Sequence, residues 1–201
     1  MDNLFRIAFM EMRCLEETSE ISASDEPYAL FFTADLHGVV PKAAMFRTKV
    51  FEDTDQGELR KQWVRIWGVD EQAQPITDPN KVIILVALME NDESSPNDIV
   101  TATRPAMAGN LATLASAGTS RSNMVSELIK SFKSGINLGS LTGIPNEDDR
   151  IGEPQELRIT SADLAAAKNP LSAEISRSVA MAENTASVLT LLRARDSSLE
   201  C

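Results

Sequence analysis

Hydrophobic and polar positions alternate with period two over much of the first ninety residues. Phe5, Ile7 and Phe9 fall on one side of a first strand over residues 4–15, with Arg6 and Arg13 marking the polar alternation. Pro27 opens a second strand, Tyr28 to Ala34. A third spans 43–51, where Ala44, Phe46 and Thr48 alternate against Met45, Arg47 and Lys49. A fourth runs from Gln62 to Val69, with Val64, Ile66 and Gly68 against Trp63, Arg65, Trp67 and Val69. Val82 to Met89 is apolar without alternation, which predicts a central strand buried on both faces.

The pattern then shifts to a helical period. Thr103-Arg104-Pro105 reads as a helix start, with Pro in the first turn. Met107, Leu111, Leu114 and Ala115 would share a face, and Gly118 fits the stop. Ser120 or Ser122 can cap a second helix, in which Val125, Leu128, Ile129, Phe132 and Ile136 recur at i, i+3, i+4 and i+7. Gly135, Gly139 and Gly143 read as turn formation at its end in preference to close helix packing. Residues 145–160 return to loop and strand, and Thr160 to Asp163 can cap a helical turn, Leu164 to Lys168. Residues 173–182 and 185–195 are expected to close the fold as a hairpin, with a C-terminal helix as the rival reading.

Together these elements predict a mainly β chain of one domain over 1–201, an antiparallel β-sandwich with a two-helix insertion at about 98–140. At 201 residues the chain can bury a substantial core. Aromatic residues are 5% of it, so that core rests on aliphatics, Ala and Met.

Charge narrows the partners. Thirty acids against 19 bases give a formal net charge of −11, which repels nucleic acid and anionic lipid and favours cations or basic partners. A protein partner or self-association is the expectation. Membrane contact through Lys130-Ser131-Phe132-Lys133 is a weaker one, because a helix packed on the sandwich explains that stretch more simply. The N-terminus lacks the features of a secretory signal, so a cytoplasmic protein is expected, or one exported without such a signal. Cys14 is expected to be buried and Cys201 exposed, with no disulfide framework.

No G-x-S-x-G, Walker A loop or G-x-G-x-x-G is present. His37, the single histidine, sits beside Gly38 and reads as an exposed turn residue. The expectation is a protein that is not an enzyme, with no catalytic residues.

Acids cluster where strands end: Glu16 to Glu26, Glu52/Asp53/Asp55, Glu90/Asp92/Glu93, and Glu147/Asp148/Asp149. Calcium takes six to eight oxygens, more than one such loop supplies rigidly, so a site would need several loops at one end of a sandwich. Val86-Ala87-Leu88-Met89-Glu90-Asn91-Asp92 and Asn146-Glu147-Asp148-Asp149-Arg150-Ile151-Gly152 resemble the two halves of the third calcium loop of a C2 domain. About fifty residues, holding both helices, separate the halves. The resemblance implies a calcium-binding adaptor or surface-binding module. It implies Asp92, Asp148 and Asp149 as ligands, Glu90 next, and Asp53 and Asp55 from the loop at 51–58. The competing reading is a metal-independent structural or assembly subunit, toxin-associated or pore-forming in one variant, whose acids keep it soluble.

Overall fold

A computed structural model describes residues 4–14, 26–67, 74–91, 95–137 and 150–168, together with the backbone of two strands, 175–181 and 186–195. The strands are β1 (Leu4–Cys14), β2 (Pro27–Asp35), β3 (Lys42–Arg47), β4 (Leu59–Trp67), β5 (Gln74–Pro75), β6 (Val82–Glu90), β7 (Arg150–Glu156), β8 (Ile175–Met181) and β9 (Ala186–Arg195). The helices are α1 (Pro96–Ser116), α2 (Arg121–Asn137) and α3 (Ser161–Ala167), with a 3₁₀ turn at Pro79–Lys81. One sheet has the order β4-β1-β9-β8, with β5 also paired to β1. The other has the order β3-β2-β6-β7. Every pairing is antiparallel. The β-sandwich with a helical insertion read from the sequence is the observed architecture, and the last two strands form the expected hairpin.

The two central strands of the second sheet, β2 and β6, are buried on both faces, which explains why β6 carries no alternation. Val82, Ile84, Val86 and Leu88 meet Phe5, Ile7 and Phe9 of β1 between the sheets. Ile83, Leu85, Ala87 and Met89 face the other way, into a second core with Met107 and Leu111 of α1 and Leu128 and Phe132 of α2. β2 divides in the same manner: Ala29 and Phe31 inward, Tyr28, Leu30 and Phe32 toward the helices. The insertion is therefore a third layer that covers a sheet otherwise apolar on its outside.

Several boundaries differ from the sequence reading. β3 ends at Arg47 instead of reaching residue 51, because Thr48 turns its hydroxyl to accept from the Ala29 N–H at 2.9 Å and the chain crosses to the other sheet. α1 begins at Pro96, not near Thr103. Ser95 holds the N-cap position and Pro96 the first turn, so Pro105 lies inside the helix on its exposed side. An interior proline costs about 3 kcal/mol. Burial of Ile99, Thr103, Met107 and Leu111 offsets it. Ile66 and Trp67 are both buried, against the expected alternation, because the β1–β4 register shifts between Ile7 and Ala8.

Other local expectations stand. Gly118 has φ +65 and closes α1, with its N–H bonded to Ala115 O and that of Thr119 to Leu114 O, a Schellman arrangement. Thr160 and Asp163 cap each other's backbone N–H groups at the start of α3. Gly135 departs from expectation: it lies within α2, and a Cβ there would stand 2.6 Å from Thr103 Cγ2 of α1. It is a close helix contact, not a turn. Gly139, Gly143 and Cys201 lie outside the described residues, and Cys14 is buried as expected.

His37 is not simply exposed. Its Nδ1 stands 2.7 Å from Asp35 Oδ1, and its Nε2 accepts from the Asp78 N–H at 3.2 Å. A backbone N–H can only donate, so the neutral ring carries its proton on Nδ1. The clasp holds the β2–β3 hairpin, at whose tip Val39 and Val40 are exposed.

Candidate functional site: the loop rim

Backbone hydrogen bonds bring the acidic segments to one end of the sandwich. At the end of β1, Gly57 N–H donates to Cys14 O at 2.9 Å, and Cys14 N–H to Glu58 O at 3.1 Å. At the start of β2, Phe51 N–H donates to Pro27 O at 3.0 Å, and Asn91 N–H to Glu26 O at 3.0 Å. Pro27 is in register with Glu90, and Met89 with Arg150. The insertion thus leaves the rim from β6 and returns to it on the neighbouring strand β7. Its helices fold back over the sheet, so its length does not separate its two ends.

Glu90 is buried at this rim, 5% exposed, while Glu52, Asp53 and Asp55 are exposed on the loop between β3 and β4. Asp92, Asp148 and Asp149 lie outside the described residues, one step beyond Asn91 and just before Arg150. Among the described residues no group of three or more His, Cys, Asp or Glu side chains could hold a metal ion. Tyr28, the single tyrosine, is fully buried and faces the helices.

The sequence reading missed the cations at the rim. Arg60 donates from Nη2 to the carbonyls of Glu52 and Asp53 and from Nε to Thr54 Oγ1 at 3.2 Å, and it pairs with Glu58. A guanidinium therefore occupies the backbone oxygens of this loop. Asp53 has φ 51, a left-handed conformation that Asp tolerates better than most residues. Beside this loop a cleft of about 560 Å³ is lined by Arg47, Lys49, Phe51, Glu52, Arg60 and Pro96. Lys49 Nζ lies 5.4 Å from the centre of the Phe51 ring, and Arg47 donates to Asn97 Oδ1 at 2.7 Å. The alternation of Arg47 and Lys49 was visible in the sequence, but only as one side of a strand expected to run to residue 51. The chain leaves β3 after Arg47 and passes along this cleft.

Ion pairs away from the rim tie the layers together. Arg121 at the start of α2 pairs with Glu156 and donates to Asn80 O at 3.2 Å and Val82 O at 3.1 Å. Lys133 of α2 bonds Glu153 of β7 at 2.6 Å, and this bond, with Arg150 nearby, holds the Glu153 carboxyl below its ordinary range.

No family model and no curated protein matches this chain. Solved structures are similar to it. A human GIVD cytosolic phospholipase A2 in complex with methyl gamma-linolenyl fluorophosphonate matches at TM-score 0.43 and 10% identity, over 98% of this chain and 18% of that one. The first C2 domain of a plant extended synaptotagmin matches at TM-score 0.41 and 6% identity, over 96% of this chain and 94% of that one. A CC2D1B structure matches at TM-score 0.40 and 8% identity, over 96% of this chain and 55% of that one. The plant structure is described as a C2 domain, the family that residues 86–92 and 146–152 resemble. The chain spans about a fifth of the length of the phospholipase it matches.

Proposed function

We propose that this chain is a non-enzymatic β-sandwich module that binds a protein or membrane surface through its loop rim, with calcium held there by carboxylates from separate loops. The observation that supports this reading is the backbone convergence of residues 26–27, 51–58, 90–91 and 150 at one end. Convergence supplies what no single loop can, since calcium needs six to eight oxygens together. Asp92, Asp148 and Asp149 are the primary ligands in this reading, with Glu90 beside them. Arg60 takes the carbonyls of Glu52 and Asp53, so the 51–58 loop contributes through the carboxylates of Asp53 and Asp55.

The test is a thermal melt in EDTA, then in millimolar calcium, with magnesium as control. At about a hundred times its Kd, a ligand that binds only the folded state stabilises by roughly 2.7 kcal/mol. For a chain this size that is a rise of several degrees. Asp92→Asn and Asp149→Asn should each weaken calcium binding at least tenfold, about 1.4 kcal/mol. No shift with calcium, or unchanged affinity in both variants, rejects the calcium site. The second reading, a metal-independent assembly subunit, is favoured by Arg60: an internal cation already satisfies part of the acidic loop. A melt indifferent to calcium, with concentration-dependent size, supports that reading.

A further inference from the structure

β2 starts at the acidic rim with Pro27 and reaches the other end of the sandwich with Asp35. There the chain turns through residues 36–41 into β3, and Val39 and Val40 stand exposed at the tip. Hydrogen bonds tie this hairpin to the 3₁₀ turn that leads into β6. Leu36 N–H donates to Lys81 O at 2.8 Å, and Asp78 N–H, at the N-cap of the turn, donates to His37 Nε2 at 3.2 Å.

These bonds differ in kind. A carbonyl accepts at every pH. Nε2 accepts only while the imidazole is neutral, and imidazole is the side chain that ordinarily changes charge between about pH 5 and 8. On protonation Nε2 carries a hydrogen aimed at the Asp78 N–H, and two donors cannot bond. Asp35 does not decide the matter. It lies two residues before His37, stands 2.7 Å from Nδ1 and accepts from the His37 N–H at 2.9 Å. That pairing travels with the hairpin whether or not the turn is bound. Ring and carboxylate are each 21% exposed, so protons reach them from solvent. The other charged groups on the elements packed here are Lys42, in register with Asp35 on β3, Asp78 and Lys81 of the turn, and Arg121 of α2 with its partner Glu156 of β7. Asp78 accepts from the Asn80 N–H at 2.9 Å, and Arg121 binds the carbonyls of Asn80 and Val82, so both serve the turn itself.

We infer that His37 is a proton-operated clasp. With a neutral ring it fixes the Val39–Val40 tip against the turn, and with a charged ring it lets the tip move about the Leu36–Lys81 bond. A tip already held in one arrangement loses little further freedom when it meets a surface. Contacts made through the two valines are therefore stronger while the clasp is closed, and they weaken in acid. The clasp lies at the far end from the rim, so it stands or falls apart from the calcium reading.

The test is nuclear magnetic resonance on the full chain, in EDTA, at pH 8 and pH 5.5. Nitrogen shifts of the ring should show Nδ1 protonated and Nε2 bare at pH 8, and both protonated at pH 5.5. Backbone order parameters of Val39 and Val40 should fall from the rigid value of about 0.85 at pH 8 to below about 0.6 at pH 5.5. His37→Gln keeps an acceptor that does not titrate, and its tip should stay ordered at both pH values. His37→Ala removes the acceptor, and its tip should be mobile at both. Circular dichroism checks that each chain is folded under both conditions. A bare Nδ1 at pH 8 overturns the proposal. So does a tip equally ordered at both pH values in the unaltered chain, as when the Asp78 carboxylate catches the charged ring. An ordered tip in His37→Ala, or a His37→Gln tip that loosens in acid as the unaltered one does, also overturns it.

Discussion

Arg121 shows what one side chain does for the layered arrangement. Its guanidinium binds the carbonyls of Asn80 and Val82 and the carboxylate of Glu156, joining α2 to β6 and β7. With side chains 18% and 19% exposed, the pair is screened less than a surface bridge. Arg121→Ala leaves Glu156 and two carbonyls without this donor. The expected loss is about 1–3 kcal/mol, read from urea denaturation. A change below a few tenths of a kcal/mol would show that water replaces the guanidinium without cost. No periodicity rule singles out this arginine, because in sequence it is one polar residue between two caps. Its three partners lie 35 to 41 positions away.

At the scale of elements, patterns were legible where one physical cause dominated. The helical period of Val125, Leu128, Phe132 and Ile136 survives because all four bury one face of α2. The cap at Thr160 and the stop at Gly118 are local chemistry and needed no partner. Element ends were misread where tertiary contacts intervened. β3 stops where Thr48 reaches Ala29, and α1 carries Pro105 within it because its apolar side is held by the sheet. Gly135 was misread for the same reason. Its lack of a side chain matters only against Thr103 of the neighbouring helix. Gly135→Ala gains helix propensity, up to about 1 kcal/mol. It also forces the helices apart at a 2.6 Å contact, an overpacking cost of about 1–3 kcal/mol. A net loss of stability is expected, and Thr103→Ala in the Gly135→Ala background should recover most of it. If Gly135→Ala alone stabilises the protein in chemical denaturation, the close contact does not constrain the helix pair.

At the scale of the whole molecule, the insertion is structural as well as positional. Replacing residues 95–137 with a short linker would expose Tyr28, Leu30, Phe32, Ile83, Leu85 and Met89 together. Contiguous apolar surface of that extent drives aggregation. The shortened chain is expected to be insoluble or unfolded, as judged by sedimentation and circular dichroism. A soluble, cooperatively folding sandwich would show that the helices form a separable layer. The same layer bears on the candidate site, since it folds back and lets β6 and β7 present their rim ends side by side.

From its sequence alone this protein was determined to be a β-rich chain with an interrupting helix pair, a doubly buried central strand and acids at strand ends. Those properties follow from side-chain periodicity and local backbone chemistry, which act over a few residues. Only the tertiary structure decided that the acid-bearing segments at 26, 51–58, 90 and 150 meet at one end, that Arg60 enters one of those loops, and that one sheet face is covered while the other displays Trp63. Each of these depends on strand order and on contacts across tens of residues, and periodicity carries no information about which strand lies beside which.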